Sequence, residues 1–342
     1  MKFGYWSPVW GSWLRNVDDD TTPCSWEYVR DLAVRAEQIG YELTLVPELN
    51  LNDIKGHDAP VLDAWTVATG LAVATKKMEI LAALRPQYHQ LATTAKRIAT
   101  IQEIAQGRFS VNLVSAWWQE EARQYGIDFA HHDDRYGYEE EYIAAMRGFW
   151  RHTPFTHAGK YFRFENSYLS PKPVREPIVY AGGESEIGRQ TIARFADSYL
   201  MHGHTLDELK VKIADMKARK ERLGLEPFKV FGMAVYIIVR DSEEEAKKEY
   251  ERITTIKNYE RWENSHKNFT GNSHLDIEVA KVDYSVTNRG LRSNLVGTPE
   301  QVAEKLLAYQ EAGLGVVLVQ SAPVREELER IAEQVIPLVN GK

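Results

Sequence analysis

Cysteine is almost absent from this 342-residue chain; Cys24 stands alone. One thiol excludes an internal disulfide and fits a reducing cytoplasm. Nothing beside Cys24 would lower its pKa, so a catalytic thiolate is not expected there. Long apolar runs are missing too: none approaches ~18 residues, so no membrane span is expected. The start, MKFGYWSPVW, lacks the basic opening and small-residue cleavage site of an export signal and reads as a first strand. Basic charge is in deficit, with a net charge of -7 and no lysine/arginine run, which makes nucleic acid a poor partner. No Gly-x-Gly-x-x-Gly follows a strand, which counts against a dinucleotide fold. No Gly-x-Ser-x-Gly and no Cys–His pairing offers a nucleophile. His131-His132-Asp133-Asp134 is dense in ligand types, but sequence neighbours do not converge as His at i, i+4 does, so no metal is expected.

What remains is 44% hydrophobic and 27% charged, a globular composition. The length suits one large α/β barrel or two medium domains. Hydrophobic patterning predicts strands at Lys2–Val9, Glu42–Pro47, Met78–Leu84, around Phe109–Val114, and at Pro177–Ala181, Asp197–Met201, Phe228–Val239 and Gly315–Gln320. Helices are predicted between them, at Trp26–Ile39, Val61–Thr75, Gln90–Ala105, Arg135–Trp150, after Ser185, at Leu206–Leu223, after Asp241-Ser242, and after Thr298. A last helix runs to about Val339. Phe155–Leu169 turns at Gly159 as a hairpin-like excursion. The stretch 256–294 is long, polar and poor in apolar periodicity, the kind of loop usually found as a lid. Eight strands alternating with helices, without a mid-chain linker, predict a single (β/α)8 TIM barrel with insertions at the C-terminal face of the strands. A doubly wound open sheet is the other arrangement of this pattern.

In such a barrel the active site lies at the C-terminal mouth of the strands. That rule selects Trp6, Ser7, Glu48, Leu84, Arg85, Asn112, Ser115, Trp117, Gly183, Ser185, His202, Tyr236 and Gln320. The set is aromatic, mostly uncharged and rich in amide and hydroxyl groups, which suits a flat heteroaromatic ligand. Gly182-Gly183-Glu184-Ser185 opens a helix, whose free N–H groups with Ser185 make a phosphate cradle or simply a tight turn. Arg135 could add a cation or lie on the surface. A glycosidase pair drawn from Glu48, Asp58, Glu120 and Glu121 is a further reading of the carboxylates.

Taken together, FGYWSP (3–8), LAALRP (81–86), GRFSVNLVSAWWQEEARQYG (107–126), HDDRY (132–136), YAGGESEIGRQ (180–190), IVRDSEEEA (238–246) and LVGTPEQVAEKL (295–306) resemble the bacterial luciferase-like flavin-dependent monooxygenases over nearly the whole chain. The nearest group contains alkanesulfonate, dimethylsulfone and pyrimidine-ring-opening enzymes. The resemblance implies a homodimeric or homotetrameric (β/α)8 barrel that uses O2 and reduced FMN, the latter supplied by a separate NAD(P)H-dependent reductase. It implies that Gly183 and Ser185 hold the phosphate with His132 and Tyr136, that Asn112 and Ser115 meet the isoalloxazine edge, and that Ala83 and Leu84 back the ring. It also implies a functional carboxylate at Glu121 and a mobile insertion over the substrate at about 257–294. Trp6, Trp117 and Tyr236 line the pocket or serve as packing, with Tyr236 a candidate proton donor. Where alkanesulfonate enzymes place Arg-x-His on the seventh strand, this chain has Ala234 and Tyr236. The loss of a fixed guanidinium favours a neutral sulfone or heterocycle over a sulfonate, unless Arg289 or Arg292 restores the charge. Other functions open at this stage are F420-dependent hydride transfer on the same fold and flavin binding without turnover.

Overall fold

A computed structural model describes residues 1–18, 20–115, 117–128, 132–258, 260 and 281–341, with the side chains of 132–134 and 281 left aside. Twelve strands are present among these residues: β1 Lys2–Trp6, β2 Leu43–Val46, β3 Glu79–Leu84, β4 Phe109–Leu113, β5 Phe155–Ala158, β6 Arg163–Ser167, β7 Val179–Ala181, β8 Ser198–Met201, β9 Phe231–Tyr236, β10 Ile238–Val239, β11 Val296–Gly297 and β12 Val316–Gln320. Eight of them close into a parallel barrel in the order β1-β12-β9-β8-β7-β4-β3-β2. This is the expected (β/α)8 architecture, and its closure rules out the open sheet. No described helix is long and apolar enough to cross a membrane.

Alternation along the strands sorts side chains into two cores. Leu43, Leu45, Leu81, Tyr180, Leu200, Val316 and Leu318 fill the barrel interior. The larger cluster, with Phe3, Tyr5, Leu84, Val111 and Val235 among its members, packs strands against helices. Low in the barrel a polar layer interrupts the aliphatic filling: Ser110 donates to Glu79 at 2.5 Å, and Tyr180 donates to the same carboxylate at 3.3 Å.

The helices around the barrel start where side chains satisfy their orphan N–H groups. Ser25, Asp63 and Ser242 cap α1 Trp26–Gln38, α2 Ala64–Ala74 and α8 Glu243–Thr254. Thr205 with Glu208 forms a capping box on α7 Leu206–Arg222. Between α2 and α7 lie α3 Leu91–Ile104, α4 Gln119–Gln124, α5 His132–Arg151 and α6 Glu186–Phe195. β5 and β6 form the expected antiparallel hairpin outside the barrel. Glu141 of α5 pins it, accepting from the backbone N–H groups of Lys160 and Phe162 at 3.0 and 2.9 Å.

Two expectations change. The predicted seventh strand is two strands: β9 stays in the barrel and ends at Tyr236, whereas Ile238 and Val239 pair with Val296 and Gly297. The stretch 256–294 is not one polar loop. Residues 259 and 261–280 lie outside the described residues, but Lys281–Ser285 is helical and Thr287–Ser293 forms a 3-10 strap. Tyr284, Val286 and Leu291 are buried, so this end of the insertion belongs to the core. Their spacing is too short and irregular for periodicity to reveal.

The strap lies against the mouth. Gln320 donates to Thr287 at 2.7 Å, and the Gly203 N–H donates to the Asn288 carbonyl at 2.8 Å. Asn288 and Arg289 adopt left-handed backbone, at φ 56° and 54°. A Cβ on Gly203 would meet the Arg289 carbonyl oxygen at 2.0 Å, and one on Gly290 would meet the Tyr236 nitrogen at 2.8 Å. Glycine at both positions therefore permits the contact.

Candidate active site

The barrel's parallel strands deliver their C-terminal ends to one mouth. Asn112 on β4 pairs with Ala83 on β3 and with Tyr180 on β7. The register places the tip bearing Ser115 beside the tip bearing Gly182 and Gly183. Two regions predicted separately, Asn112–Ser115 and Gly183–Ser185, thus lie on adjacent strands.

The turn after β7 leads into the N-terminus of α6, a kind of helix end that can take an anion. Ser185 caps α6 and accepts from the Gly188 N–H at 3.1 Å. Tyr136, from the start of α5, shares a 3.0 Å hydrogen bond with the Ser185 hydroxyl. When Tyr136 donates, the Ser185 proton is left for an outside acceptor. The Gly183 carbonyl is turned away and accepts from Tyr199 at 2.6 Å. His132 begins α5, but its side chain lies outside the described residues.

At the tip of β4, Asn112 is 6% exposed and its Oδ1 has no hydrogen-bond partner. Ser115 Oγ, Trp6 Nε1 and both polar atoms of the Gln87 side chain are likewise without partners. Buried polar atoms are nearly always satisfied, so such a group at a barrel mouth points to a ligand that completes it. Ala83 shares the interior register of Asn112, whereas Leu84 alternates outward into the larger core cluster. Only the first of the two predicted backing residues therefore turns its side chain to the interior.

His202 follows β8 at the same end of the barrel. Crowded by charged neighbours, it still keeps an exposed surface. Its imidazole is pushed down to about 4, by burial first and then by the charges of Arg289, His204 and Lys212, against the pull of Glu184. It is neutral at pH 7. Glu184 lies between His204 at 3.2 Å and Lys212 at 2.5 Å. Burial pushes its carboxyl up, but the His204 hydrogen bond and the nearby cations outweigh this and hold it well below the usual range. Arg289 reaches the same side, with Asp283 at 3.9 Å. Arg292 is committed to Asp283 at 2.8 Å and to Glu208 at 3.4 Å.

Other expected residues have structural surroundings. Glu121 is fully buried, and both its oxygens face the Arg85 guanidinium, one at 3.1 Å. Tyr88 and the Asn50 N–H also donate to it, at 3.2 and 2.5 Å. Glu48 accepts from the Arg85 N–H at 2.9 Å and contacts His89 at 2.6 Å. Two of the candidate glycosidase carboxylates therefore serve one arginine, and a third, Glu120, is paired on the surface with Arg123 at 2.6 Å. Tyr236 is 2% exposed and packs in the larger core cluster, its backbone under Gly290. Burial, followed by Glu249 and Glu327, raises its pKa well above the usual phenol. Trp6 meets Trp13 edge-on at 6.3 Å, and Trp117 stacks on Trp118 at 5.7 Å. Among the described residues no cluster of three metal-ligating side chains occurs.

Sequence reasoning missed Gln87, Glu139 and the Glu184–His204–Lys212 group. Glu139 lies one turn beyond Tyr136 on α5, a spacing that would have shown it to share Tyr136's face.

Comparison with known proteins agrees with this fold. The family model described as luciferase-like monooxygenase matches residues 1–315. An FMNH2-dependent dimethylsulfone monooxygenase of Pseudomonas fluorescens (strain Pf0-1) is 32% identical, with 99% of this chain and 94% of the relative covered. A protein of the same description from Pseudomonas putida is also 32% identical, over 99% and 95%. In fold, the chain matches DmoA from Hyphomicrobium sulfonivorans with TM-score 0.81 at 18% identity, covering 99% of this chain and 87% of the other. Riboflavin lyase RcaE, crystallised with modified FMN and riboflavin, matches with TM-score 0.82 at 19% identity, covering 100% and 91%. With its closed barrel and a family match over most of its length, this chain belongs to the luciferase-like monooxygenase family.

Proposed function

We propose that this protein is a two-component monooxygenase that uses reduced FMN and O2 to oxidise a small neutral organosulfur compound, with dimethylsulfone the leading candidate. The observation that carries the reading is the meeting of an orphaned Asn112 with the Ser185 cradle on neighbouring strands. The 32% identity to dimethylsulfone monooxygenases supports the substrate class.

The residues present fit FMN. Ser185, Tyr136 and the first N–H groups of α6 would hold the phosphate. Asn112 Oδ1 and Ser115 would meet the polar edge of the ring, and the small Ala83 would leave room for its flat face. When bound, the reduced flavin supplies the electrons that activate O2, chemistry no side chain provides. The chain's own part is to bind, orient and exclude water. Trp6 and Trp117 give the mouth apolar walls. The neutral His202 adds no full charge there, and the charge of Arg289 beside it is countered by Asp283, Glu184 and Glu208. No arginine occupies Ala234 or Tyr236, so the grip expected for a sulfonate is absent from β9. Arg292 is occupied by Asp283. In this reading Glu121 positions Arg85, and the strap Thr287–Ser293 borders the mouth of a single-domain barrel. The assembly is a homodimer or homotetramer, which light scattering would count.

Oxygen uptake with an added NAD(P)H-dependent flavin reductase is the test. Uptake that rises with dimethylsulfone and not with methanesulfonate is expected. Efficient use of the sulfonate alone would refute the substrate class, and failure to bind reduced FMN would refute the whole reading.

A further inference from the structure

Glu139 stands apart from the residues assigned so far. It is 2% exposed, on the inner side of α5, and its Oε1 has no hydrogen-bond partner. Ser115 from beyond β4 and Gln87 from the 3-10 turn after β3 both face it. Neither makes a direct hydrogen bond with good geometry, and Asn112 Oδ1 is in the same state. A fully buried carboxyl with unsatisfied amide and hydroxyl neighbours is costly as a packing element. Its place behind the predicted ring edge gives it a use.

We propose that Glu139 is a positioning residue: its carboxylate draws the Ser115 hydroxyl proton toward itself and leaves the Ser115 oxygen facing the mouth as an acceptor. The inference rests on the reading that a flavin edge lies at Ser115. Reduced flavin carries an N–H at the central ring nitrogen, whereas oxidised flavin has a bare acceptor there. An acceptor at Ser115 therefore favours the reduced form. When Glu139 is protonated, its own O–H donates to Ser115, the Ser115 proton swings to the mouth, and the preference reverses. Burial drives the carboxyl up to about 7, against the pull of Ser115, Arg135 and Gln87. Among the described residues the charge that reaches it is that of Arg135 on its own helix; the groups facing it from the tip of β4 and the 3-10 turn are neutral. The choice between the two orientations thus falls near neutral pH.

The experiment measures dissociation constants for oxidised and, anaerobically, reduced FMN from about pH 5.5 to about pH 8.5, a range spanning that titration. Wild type is compared with Glu139→Gln and Ser115→Ala. Free reduced flavin titrates in this range as well, so the variants provide the baseline. Relative to them, the wild-type preference for the reduced form should grow roughly fivefold as pH rises, the weight of about one hydrogen bond. Infrared spectroscopy of the ligand-free protein should show a protonated carboxyl band that fades over the same pH range and is missing in Glu139→Gln. If the Gln variant does not fold, Ser115→Ala and the wild-type infrared titration carry the comparison. A Glu139→Gln or Ser115→Ala profile parallel to wild type would overturn the inference while leaving the flavin site intact. Failure of wild type to bind either form would overturn the flavin reading and this inference together.

Discussion

Three consecutive glutamates on α5 meet three fates. Glu139 is buried against Ser115 and Gln87, Glu140 pairs with Arg194 at 3.1 Å, and Glu141 ties down the β5–β6 hairpin. A run of acids in the sequence looks like one solvated face, and only packing separates its members. The buried one has a consequence for stability. Its raised pKa means that the folded state holds a proton the unfolded chain has released, so stability falls as pH climbs from the ordinary 4.5 through about 7. The loss should approach roughly 3 kcal/mol. Glu139→Gln should remove it, and the variant should gain urea resistance relative to wild type at about pH 8 but not at about pH 5. Arg85 gives the opposite case. It is 1% exposed and braced by Glu121 and Glu48. Removing one partner strands a buried charge, so Glu121→Gln or Arg85→Met should each cost about 3–5 kcal/mol, and the double replacement much less than the two together. Denaturant midpoints of the three variants check this. A single Glu121→Gln that kept full stability but lost turnover would return Glu121 to the chemistry.

At the scale of elements, the strap Thr287–Ser293 is the part least visible in the sequence. Its apolar residues are few, and two of its residues adopt left-handed backbone that no periodic pattern announces. The division of β9 from β10 was hidden for a related reason: the alternation of Phe228–Val239 continues across the break, and only the distant Val296–Gly297 shows where the second piece belongs. The turn after β7 was readable because its signals are local. A Gly-Gly turn, a capping serine and a helix follow one another within a few residues, and α6 starts as expected. Gly203→Ala should test how firmly the strap is held. The new methyl would collide with the Arg289 carbonyl, at a cost of about 1–3 kcal/mol. Limited proteolysis should then cut within 281–293 faster than in wild type, while cleavage elsewhere is unchanged.

For the whole molecule, the barrel was legible because eight patterned strands alternating with helices leave few closed arrangements. The mouth residues followed from that topology, whereas their pairings, such as Arg85 with Glu121 across 36 positions, depended on three-dimensional packing. Ligand binding should register globally. At one hundred times its dissociation constant, FMN should add about 2.7 kcal/mol of stability, seen as a raised thermal midpoint. Tyr136→Phe keeps the ring and deletes the hydroxyl that braces Ser185, so it should weaken FMN binding roughly tenfold without lowering the midpoint of the free protein by more than a degree or two.

The aliphatic filling and the Glu79–Ser110–Tyr180 layer stopper the barrel from below. Among the described residues that end is closed, so whatever occupies the mouth must come and go on the strand-tip side.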